Sequence, residues 1–267
     1  MHNNILRNII FDKMYNKKTI LITGGTGSLG KALTKEIFQN HSEINKLVIF
    51  SRDEQKHFQM RQDFPIEDFP NLEFIIGDIR DYESVKAATK NTDYIIHAAA
   101  MKHVHLSEKN PEECIKTNIG GAQNIIKAAI ENKVKKVVAL STDKACAPVN
   151  LYGATKLTSD KLFIAASNNR SFDIKFSVVR YGNVMNSNGS VIPFFKGKVH
   201  TGILPITDPE MTRFNITLFG GVQMVLYALE EAWGGELFVP KIPSYNIMDL
   251  AKAIGPKCKT KVIGIRP

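Results

Sequence analysis

Two charged side chains follow an apolar stretch near the middle of the chain. Residues 137–140 are typical of a buried strand, and Thr142, Asp143 and Lys144 come soon after it. A loop can carry an aspartate and a lysine for solubility alone, so the pair is either solvated or set against a substrate. In the second case it offers an acid and a base at adjacent positions, which suits proton transfer.

A tyrosine and a second lysine follow at the spacing Y-x-x-x-K. On a helix, Tyr152 and Lys156 would share one face, because positions i and i+4 are neighbours. We expect the Lys156 ammonium to favour the phenolate and so to lower the pKa of Tyr152. A phenolate can take the proton of a sugar hydroxyl while hydride leaves the attached carbon for a nicotinamide. Thr142, at the end of its strand, would hydrogen-bond the same hydroxyl.

A glycine-rich segment, T-G-G-T-G-S-L-G, occupies residues 23–30. It lies between a predicted strand and a predicted helix, where glycines let backbone N–H groups approach a pyrophosphate at the helix N-terminus. Because this context is present, we interpret the segment as a dinucleotide site rather than a glycine turn without ligand. Its expected cofactor contacts are Gly24, Thr26, Gly27, Ser28, Leu29 and Gly30.

The tip of the next predicted strand bears on the choice of dinucleotide. NAD enzymes usually have Asp or Glu there for the ribose 2′-hydroxyl, whereas arginine suits a 2′-phosphate. Arg52 therefore favours NADP, while Asp53 keeps NAD open. Other expected cofactor contacts lie beside these two residues and after the third and fourth strands: Ser51, Glu54, Lys56, Asp78, Ile79, Ala98 and Ala99.

Short apolar runs alternate with amphipathic segments along most of the chain. The predicted strands are Thr19–Thr23, Leu47–Phe50, Phe74–Ile76, Tyr94–His97, Val137–Ser141, Phe176–Arg180 and Leu237–Val239. The predicted helices include Leu29–Gln39, Tyr82–Ala88, Pro111–Asn132, Tyr152–Ser167 and residues 220–233. This alternation predicts an α/β fold with a doubly wound parallel sheet (Rossmann) domain, covered on both faces. We assign residues 17–182 and 215–240 to this NADP-binding domain, and residues 183–214 and 241–267 to a smaller C-terminal substrate-binding part.

Composition excludes several classes of protein. The 267 residues are 43% hydrophobic and 23% charged, and the net charge of +9 is scattered, which does not indicate nucleic-acid binding. There is no apolar stretch of about 18 residues and no signal peptide, so a membrane partner is not expected. Three separated cysteines without a C-x-x-C suggest a reducing cytoplasm. No metal is expected, because His103 and His105 lack a supporting Cys, Asp or Glu cluster.

The glycine segment, Thr142 and Y-x-x-x-K occur in the order of the extended short-chain dehydrogenase/reductase superfamily, which the chain resembles over residues 18–267. Within it, S-T-D-K-A-C-A-P-V-N-L-Y-G-A-T-K at 141–156 looks like the inverting UDP-N-acetylglucosamine 4,6-dehydratases, which open the pseudaminic acid pathway of bacterial flagellin glycosylation. Other matching stretches are F-S-R-D-E at 50–54, H-A-A-A-M-K-H-V at 97–104, K-T-N-I at 116–119, V-V-R-Y-G-N-V at 178–184, M-T-R-F at 211–214 and V-P-K-I-P-S at 239–244.

The resemblance implies a reaction at three sugar carbons. Oxidation at C4 acidifies the C5 proton, which Lys144 would remove, while Asp143 would protonate the departing C6 hydroxyl and NADPH would return its hydride to C6. Reprotonation of C5 from the opposite face would give an L-sugar. Substrate contacts carried over by position are Ala98, Lys102, Asn183, Val191, Thr207 and Arg266, and Arg213 suits the diphosphate. Further cofactor contacts would be Thr117, Asn118, Tyr152, Lys156, Val184, Met185, Asn186, Ser187 and Asn188.

The resemblance also implies a higher homo-oligomer, such as a hexamer. Two departures stand out: Asn188 replaces a usual arginine, and the chain stops at G-I-R-P, where the family continues with G-E-K and a stretch that supplies a substrate-binding glutamate. We therefore expect a substrate-binding part truncated at its C-terminus. The alternatives are a capsule-pathway 4,6-dehydratase/5-epimerase, a UDP-hexose 4-epimerase and an inactive NADP-binding protein. A simple epimerase needs neither a C5 base nor a C6 acid, so Asp143 and Lys144 argue against it.

Overall fold

The computed structural model describes residues 14–41, 43–169, 171–185, 187 and 190–264. The strands in this part of the chain are β1 (Thr19–Thr23), β2 (Lys46–Ser51), β3 (Leu72–Ile76), β4 (Tyr94–His97), β5 (Lys136–Thr142), β6 (Lys175–Tyr181), β7 (Asn183–Val184), β8 (Ile203–Ile206), β9 (Thr212–Ile216), β10 (Leu237–Phe238), β11 (Ser244–Asn246) and β12 (Lys259–Val262). The largest sheet has the order β3-β2-β1-β4-β5-β6-β10, and all its pairings are parallel. The predicted doubly wound parallel sheet is thereby confirmed.

The helices are α1 (Ser28–Asn40), α2 (Glu54–Asp63), α3 (Tyr82–Ala88), α4 (Val104–Lys109), α5 (Pro111–Ile115), α6 (Gly121–Glu131), α7 (Leu151–Ser167), α8 (Val191–Lys196), α9 (Leu218–Glu231) and α10 (Ile247–Ile254). One predicted helix is not continuous in the structure. The segment predicted at Pro111–Asn132 is divided, because Lys116–Gly120 forms a π-helical turn between α5 and α6. Hydrophobic periodicity does not reveal such a turn, because the turn adds one residue without changing the apolar character of the segment.

Both faces of the parallel sheet are covered. Along β1, Ile20 and Ile22 point into one buried cluster, which also contains residues of α1 and α9. Leu21 points into the other, which contains residues of α3, α6 and α7. Successive side chains of a strand face opposite sides, so an unbroken apolar strand requires a core on each side.

Two small sheets follow the end of β6. One has the order β11-β9-β7 and the other pairs β12 with β8. A separate apolar cluster, which includes Phe195, Leu204 and Ile247, lies among these elements. Since β7 begins two residues after β6 ends, this region starts at the carboxyl edge of the parallel sheet, where α/β folds bind ligands. Within the described ranges, no helix is long and apolar enough to cross a membrane.

Candidate active site

The charged pair lies in a tight turn at the carboxyl end of β5. Asp143–Ala145 form one turn of 3₁₀ helix. The hydroxyl of Thr142 donates to Asp143 Oδ1 at 2.9 Å, and Lys144 Nζ lies 3.1 Å from the same oxygen. Lys144 Nζ also donates to Asn183 Oδ1 at 3.2 Å. The two side chains are 25% and 31% exposed, so the pair is directed toward β7 rather than into bulk solvent.

The tyrosine and the second lysine lie beside this turn on α7. Asn150 caps the helix by accepting from Gly153 N at 2.8 Å. Lys156 is 3% exposed, and Tyr152 lies close enough to Thr142 for the hydroxyl of Thr142 to affect its pKa. The structure therefore places Tyr152 next to Thr142 and the charged turn, with Lys156 buried one helical turn further along α7.

The expected direction of the pKa shift of Tyr152 is wrong for this structure. Burial raises the pKa of Tyr152 to about 12, and the neighbouring hydroxyl of Thr142 only partly opposes this effect. Lys156 is itself deeply buried, and this desolvation lowers the pKa of its ammonium. The expectation considered only the charge of Lys156. It left out the desolvation of Tyr152, which is the largest effect on the pKa of this residue.

Gly153 lets α7 approach the charged turn. A Cβ atom at this position would lie 2.2 Å from the carbonyl oxygen of Lys144 and 3.0 Å from Pro148 Cβ. Real side chains do not approach a backbone oxygen so closely, so the helix can pack here only with glycine. The second residue of Y-G-A-T-K is thus a packing requirement of the site, which spacing alone did not reveal.

A buried carboxylate extends the row of polar residues along α7. Asp160 is 1% exposed, accepts from Ser141 Oγ at 2.9 Å and accepts from Arg180 Nη2 at 2.7 Å. Its charge raises the pKa of Lys156 against the effect of burial. Sequence reasoning missed this group, although its spacing of four residues from Lys156 is a visible signal.

The π-helical turn presents Asn118 to the loop after β4. Asn118 Oδ1 accepts from Met101 N at 2.8 Å, and its Nδ2 donates to Met101 O and to Thr155 Oγ1, both at 3.0 Å. The side chain is 1% exposed. This amide, which is predicted to lie along the cofactor, joins the loop that carries Lys102 to the helix that carries Tyr152.

The glycine-rich segment leads from β1 into α1 with a shape that fits a pyrophosphate. Gly24 has a φ of 65°, and a Cβ there would lie 2.8 Å from Ala99 Cα. Thr23 Oγ1 accepts from Ala99 N at 3.2 Å and lies 2.8 Å from His97 Nδ1. The helix start has no side-chain cap and no acidic residue in its first turn. Its N–H groups and dipole therefore suit an anion.

At the tip of β2, the neighbouring residues Arg52 and Asp53 make different contacts. Asp53 caps α2, accepting from Lys56 N at 3.1 Å, and forms an ion pair with Lys56 Nζ at 2.9 Å. These bonds with Lys56 lower the pKa of Asp53. Arg52 is 67% exposed and lies 4.0 Å from Asp78. The carboxylate is engaged within its own helix, while the guanidinium extends outward.

Other predicted site residues lie around this edge. Asp78 accepts from Arg80 Nη2 at 2.6 Å, which lowers the pKa of the carboxylate. Ile79 is buried against Gly121. The remaining predicted contacts lie on several elements. Ser28 and Leu29 begin α1, Glu54 begins α2, Val191 begins α8 and Thr117 lies in the π-helical turn. Val184 and Arg213 lie in β7 and β9, and the loops that follow strands carry Ala98, Met185, Ser187 and Thr207. Asn186, Asn188 and Arg266 lie outside the described residues.

His103 and His105, at the start of α4, form no metal cluster in the described ranges. The ring centroids of His103 and His105 are 6.3 Å apart. No group of three or more His, Cys, Asp or Glu side chains in these ranges could hold a metal ion.

The chain is similar to known proteins over most of its length. The family model described as polysaccharide biosynthesis protein matches residues 20–267. The UDP-N-acetylglucosamine 4,6-dehydratase (inverting) of Campylobacter jejuni is 57% identical over 256 residues, which is 95% of this chain and 75% of that protein. The UDP-glucose 4-epimerase of Rickettsia canadensis is 47% identical over 95% of this chain and 76% of its own length. Among solved structures, Pen from Bacillus thuringiensis superposes with a TM-score of 0.91 at 40% identity, covering 95% of this chain and 81% of Pen.

Proposed function

The chain belongs to the polysaccharide biosynthesis protein family and, within it, to the inverting UDP-N-acetylglucosamine 4,6-dehydratases, and we propose that it dehydrates UDP-N-acetylglucosamine with inversion at C5. The product would be UDP-2-acetamido-2,6-dideoxy-β-L-arabino-hexos-4-ulose. The observation that carries this proposal is the Asp143–Lys144 pair, held beside Thr142 and Tyr152. Such a pair supplies the acid and the base that a dehydration requires and that a simple epimerisation does not.

The first step concerns the C4 hydroxyl. A bound NADP⁺ would supply the hydride acceptor at C4 and the later hydride donor at C6, and its positive ring would favour the phenolate. Tyr152 takes the proton of the C4 hydroxyl, and Thr142 orients that hydroxyl by a hydrogen bond. Because burial raises the pKa of Tyr152 to about 12, the phenolate forms only when cationic groups lie close to it.

In the next step, one proton moves between Lys144 and Asp143. Transfer of a proton from Lys144 to Asp143, whose closest atoms are 3.1 Å apart, gives a neutral amine and a carboxylic acid together. Lys144 then takes the C5 proton, and Asp143 gives its proton to the C6 hydroxyl, which leaves as water. The elimination thus returns the pair to its ammonium and carboxylate forms, with one water released. The elimination leaves a C5–C6 double bond, to which a bound NADPH would return hydride at C6. C5 takes a solvent-derived proton on the opposite face, which inverts that centre, and Tyr152 releases to solvent the proton that it took at C4.

For the cofactor we propose NADP rather than NAD. Arg52 extends outward at the ribose end of the site, whereas Asp53 is engaged with Lys56. A guanidinium is a good partner for a 2′-phosphate, and a carboxylate held in a helix cap is a poor partner for a 2′-hydroxyl. Both features support NADP.

Several finer assignments also remain proposals. The division into a dinucleotide-binding domain and a substrate-binding part is supported by the pairing of β10 with β6 and by the separate apolar cluster of the small sheets. From the family resemblance we propose a cytoplasmic homo-oligomer, with a hexamer as one form. The same resemblance suggests the pseudaminic acid pathway and flagellin glycosylation.

The second candidate function is UDP-glucose 4-epimerisation, favoured by the identity of 47% to the Rickettsia canadensis protein. Both reactions begin by oxidising C4, so only the later steps separate them. The protein should be incubated with UDP-N-acetylglucosamine in D₂O and the sugar followed by NMR. We expect a 4-keto-6-deoxy L-sugar with deuterium at C5. A 4-epimer, or no turnover by protein that binds its cofactor, would overturn the proposal.

A further inference from the structure

A buried histidine lies against the last residue of β2. His57 is on α2, is 5% exposed and packs edge-on against Phe74 with ring centroids 5.5 Å apart. Its Nε2 lies 3.0 Å from the carbonyl oxygen of Ser51 and 2.8 Å from Ser51 Oγ. Neither the dehydration chemistry nor the glycine segment accounts for this contact.

The hydrogen bonds define the tautomer of His57. The carbonyl oxygen of Ser51 can only accept, so Nε2 carries the hydrogen. The other ring nitrogen, Nδ1, is buried and has no hydrogen-bond partner. Burial also lowers the pKa of His57. The ring is therefore neutral, with its proton on Nε2 and directed at Ser51.

This arrangement constrains the Ser51 hydroxyl. The one hydrogen on His57 Nε2 is shared between the Ser51 carbonyl oxygen and Ser51 Oγ. The hydroxyl oxygen therefore accepts, and its own hydrogen points elsewhere, either to Thr26 Oγ1 at 3.1 Å or to a ligand. A hydroxyl held in this way acts as a donor. A phosphate presents only acceptors near neutral pH, whereas a ribose hydroxyl is itself a donor that NAD enzymes bind with a carboxylate.

We propose that His57 is a positioning residue for cofactor choice, which holds the Ser51 hydroxyl as a donor to the 2′-phosphate of NADP. This inference rests on the NADP preference proposed above and adds a residue that does not touch the cofactor itself. The chain Thr26–Ser51–His57 links the glycine segment, β2 and α2. It therefore places the hydroxyl beside Arg52, the other group suited to the phosphate.

The test measures binding rather than turnover. Dissociation constants for NADP⁺ and NAD⁺ are obtained by isothermal titration calorimetry for the wild type, His57→Phe, Ser51→Ala and the double variant. One hydrogen bond to a charged group corresponds to a loss of about tenfold in the NADP⁺ preference, for either single variant. The double variant should lose no more than Ser51→Ala alone, because both changes remove the same interaction.

Two further variants separate this role from a structural one. His57→Gln retains an amide donor and should keep most of the preference. Met60→Leu changes another buried residue of α2 at nearly constant volume and should leave the ratio unchanged. If His57→Phe weakens both dinucleotides by the same factor, or if the single losses add in the double variant, the proposal is overturned.

A measurement on the wild type does not depend on the folding of any variant. Nitrogen-15 NMR of the His57 ring should report a proton on Nε2 and a bare Nδ1 at neutral pH. A proton on Nδ1, or an imidazolium, would overturn the proposal. A wild type that binds NAD⁺ more tightly than NADP⁺ would instead refute the cofactor assignment, and it would leave the dehydratase assignment to its own test.

Discussion

Gly153→Ala changes one hydrogen to a methyl group at the point where α7 meets the charged turn. The new Cβ atom would lie 2.2 Å from the carbonyl oxygen of Lys144. Carbon and oxygen atoms pack at separations above about 3 Å, so the helix or the turn must move by roughly 1 Å. A displacement of this size near reacting groups can cost about 10²-fold in rate.

Helix propensity acts in the opposite direction. Alanine in a helix interior is more favourable than glycine by about 0.5–1 kcal/mol. A loss of activity therefore cannot come from a weaker helix. We expect the turnover number for dehydration to fall about 100-fold. NADP⁺ binding should stay within a few-fold, because the nearest atoms to the new Cβ belong to Lys144 and Pro148 and not to the glycine segment.

The matched control is Gly221→Ala on α9. A Cβ there would meet only Leu29 Cδ1, at 3.7 Å, which is ordinary van der Waals contact. The control should keep wild-type turnover. The assay follows product formation by NMR at saturating substrate, with thermal unfolding measured for both variants. A Gly153→Ala protein with near-wild-type turnover would refute the claim that close packing positions Lys144.

The remaining predictions concern individual ionisable groups. Lys144→Ala should abolish dehydration and leave the cofactor bound, and near-wild-type turnover would reject Lys144 as the C5 base. Asp160→Asn removes the charge that raises the pKa of Lys156; if the ammonium form is active, the basic limb of the pH–rate profile should shift to lower pH. An unmoved limb would contradict this coupling, and thermal unfolding would report the cost of leaving Arg180 unpaired. Burial raises the pKa of Tyr152 to about 12, so the ultraviolet difference between wild type and Tyr152→Phe should show little phenolate at pH 10, where an ordinary tyrosine is half ionised.

Much of the fold could be predicted because its signals are local. The bounds of β1 and β4 agree with the predicted Thr19–Thr23 and Tyr94–His97, since β-branched apolar runs bounded by turn residues determine where strands begin and end. The glycine segment has its required neighbours, a strand before it and a helix after it. The divided segment around Lys116–Gly120 was missed, because a π turn preserves the apolar pattern on either side of it.

The sequence by itself determined the parallel sheet, the dinucleotide segment and the identity of Thr142, Asp143, Lys144, Tyr152 and Lys156 as candidates. These follow from residue type and short spacing. It could not determine the partners that arrive from distant parts of the chain.

Only the tertiary structure decided those partners. It paired Lys144 with Asn183 and enclosed Asp160 with Arg180. It also reversed the expected pKa shift of Tyr152. The physical reason is that desolvation and long-range hydrogen bonds depend on what packs around a group, whereas the sequence shows only what precedes and follows it.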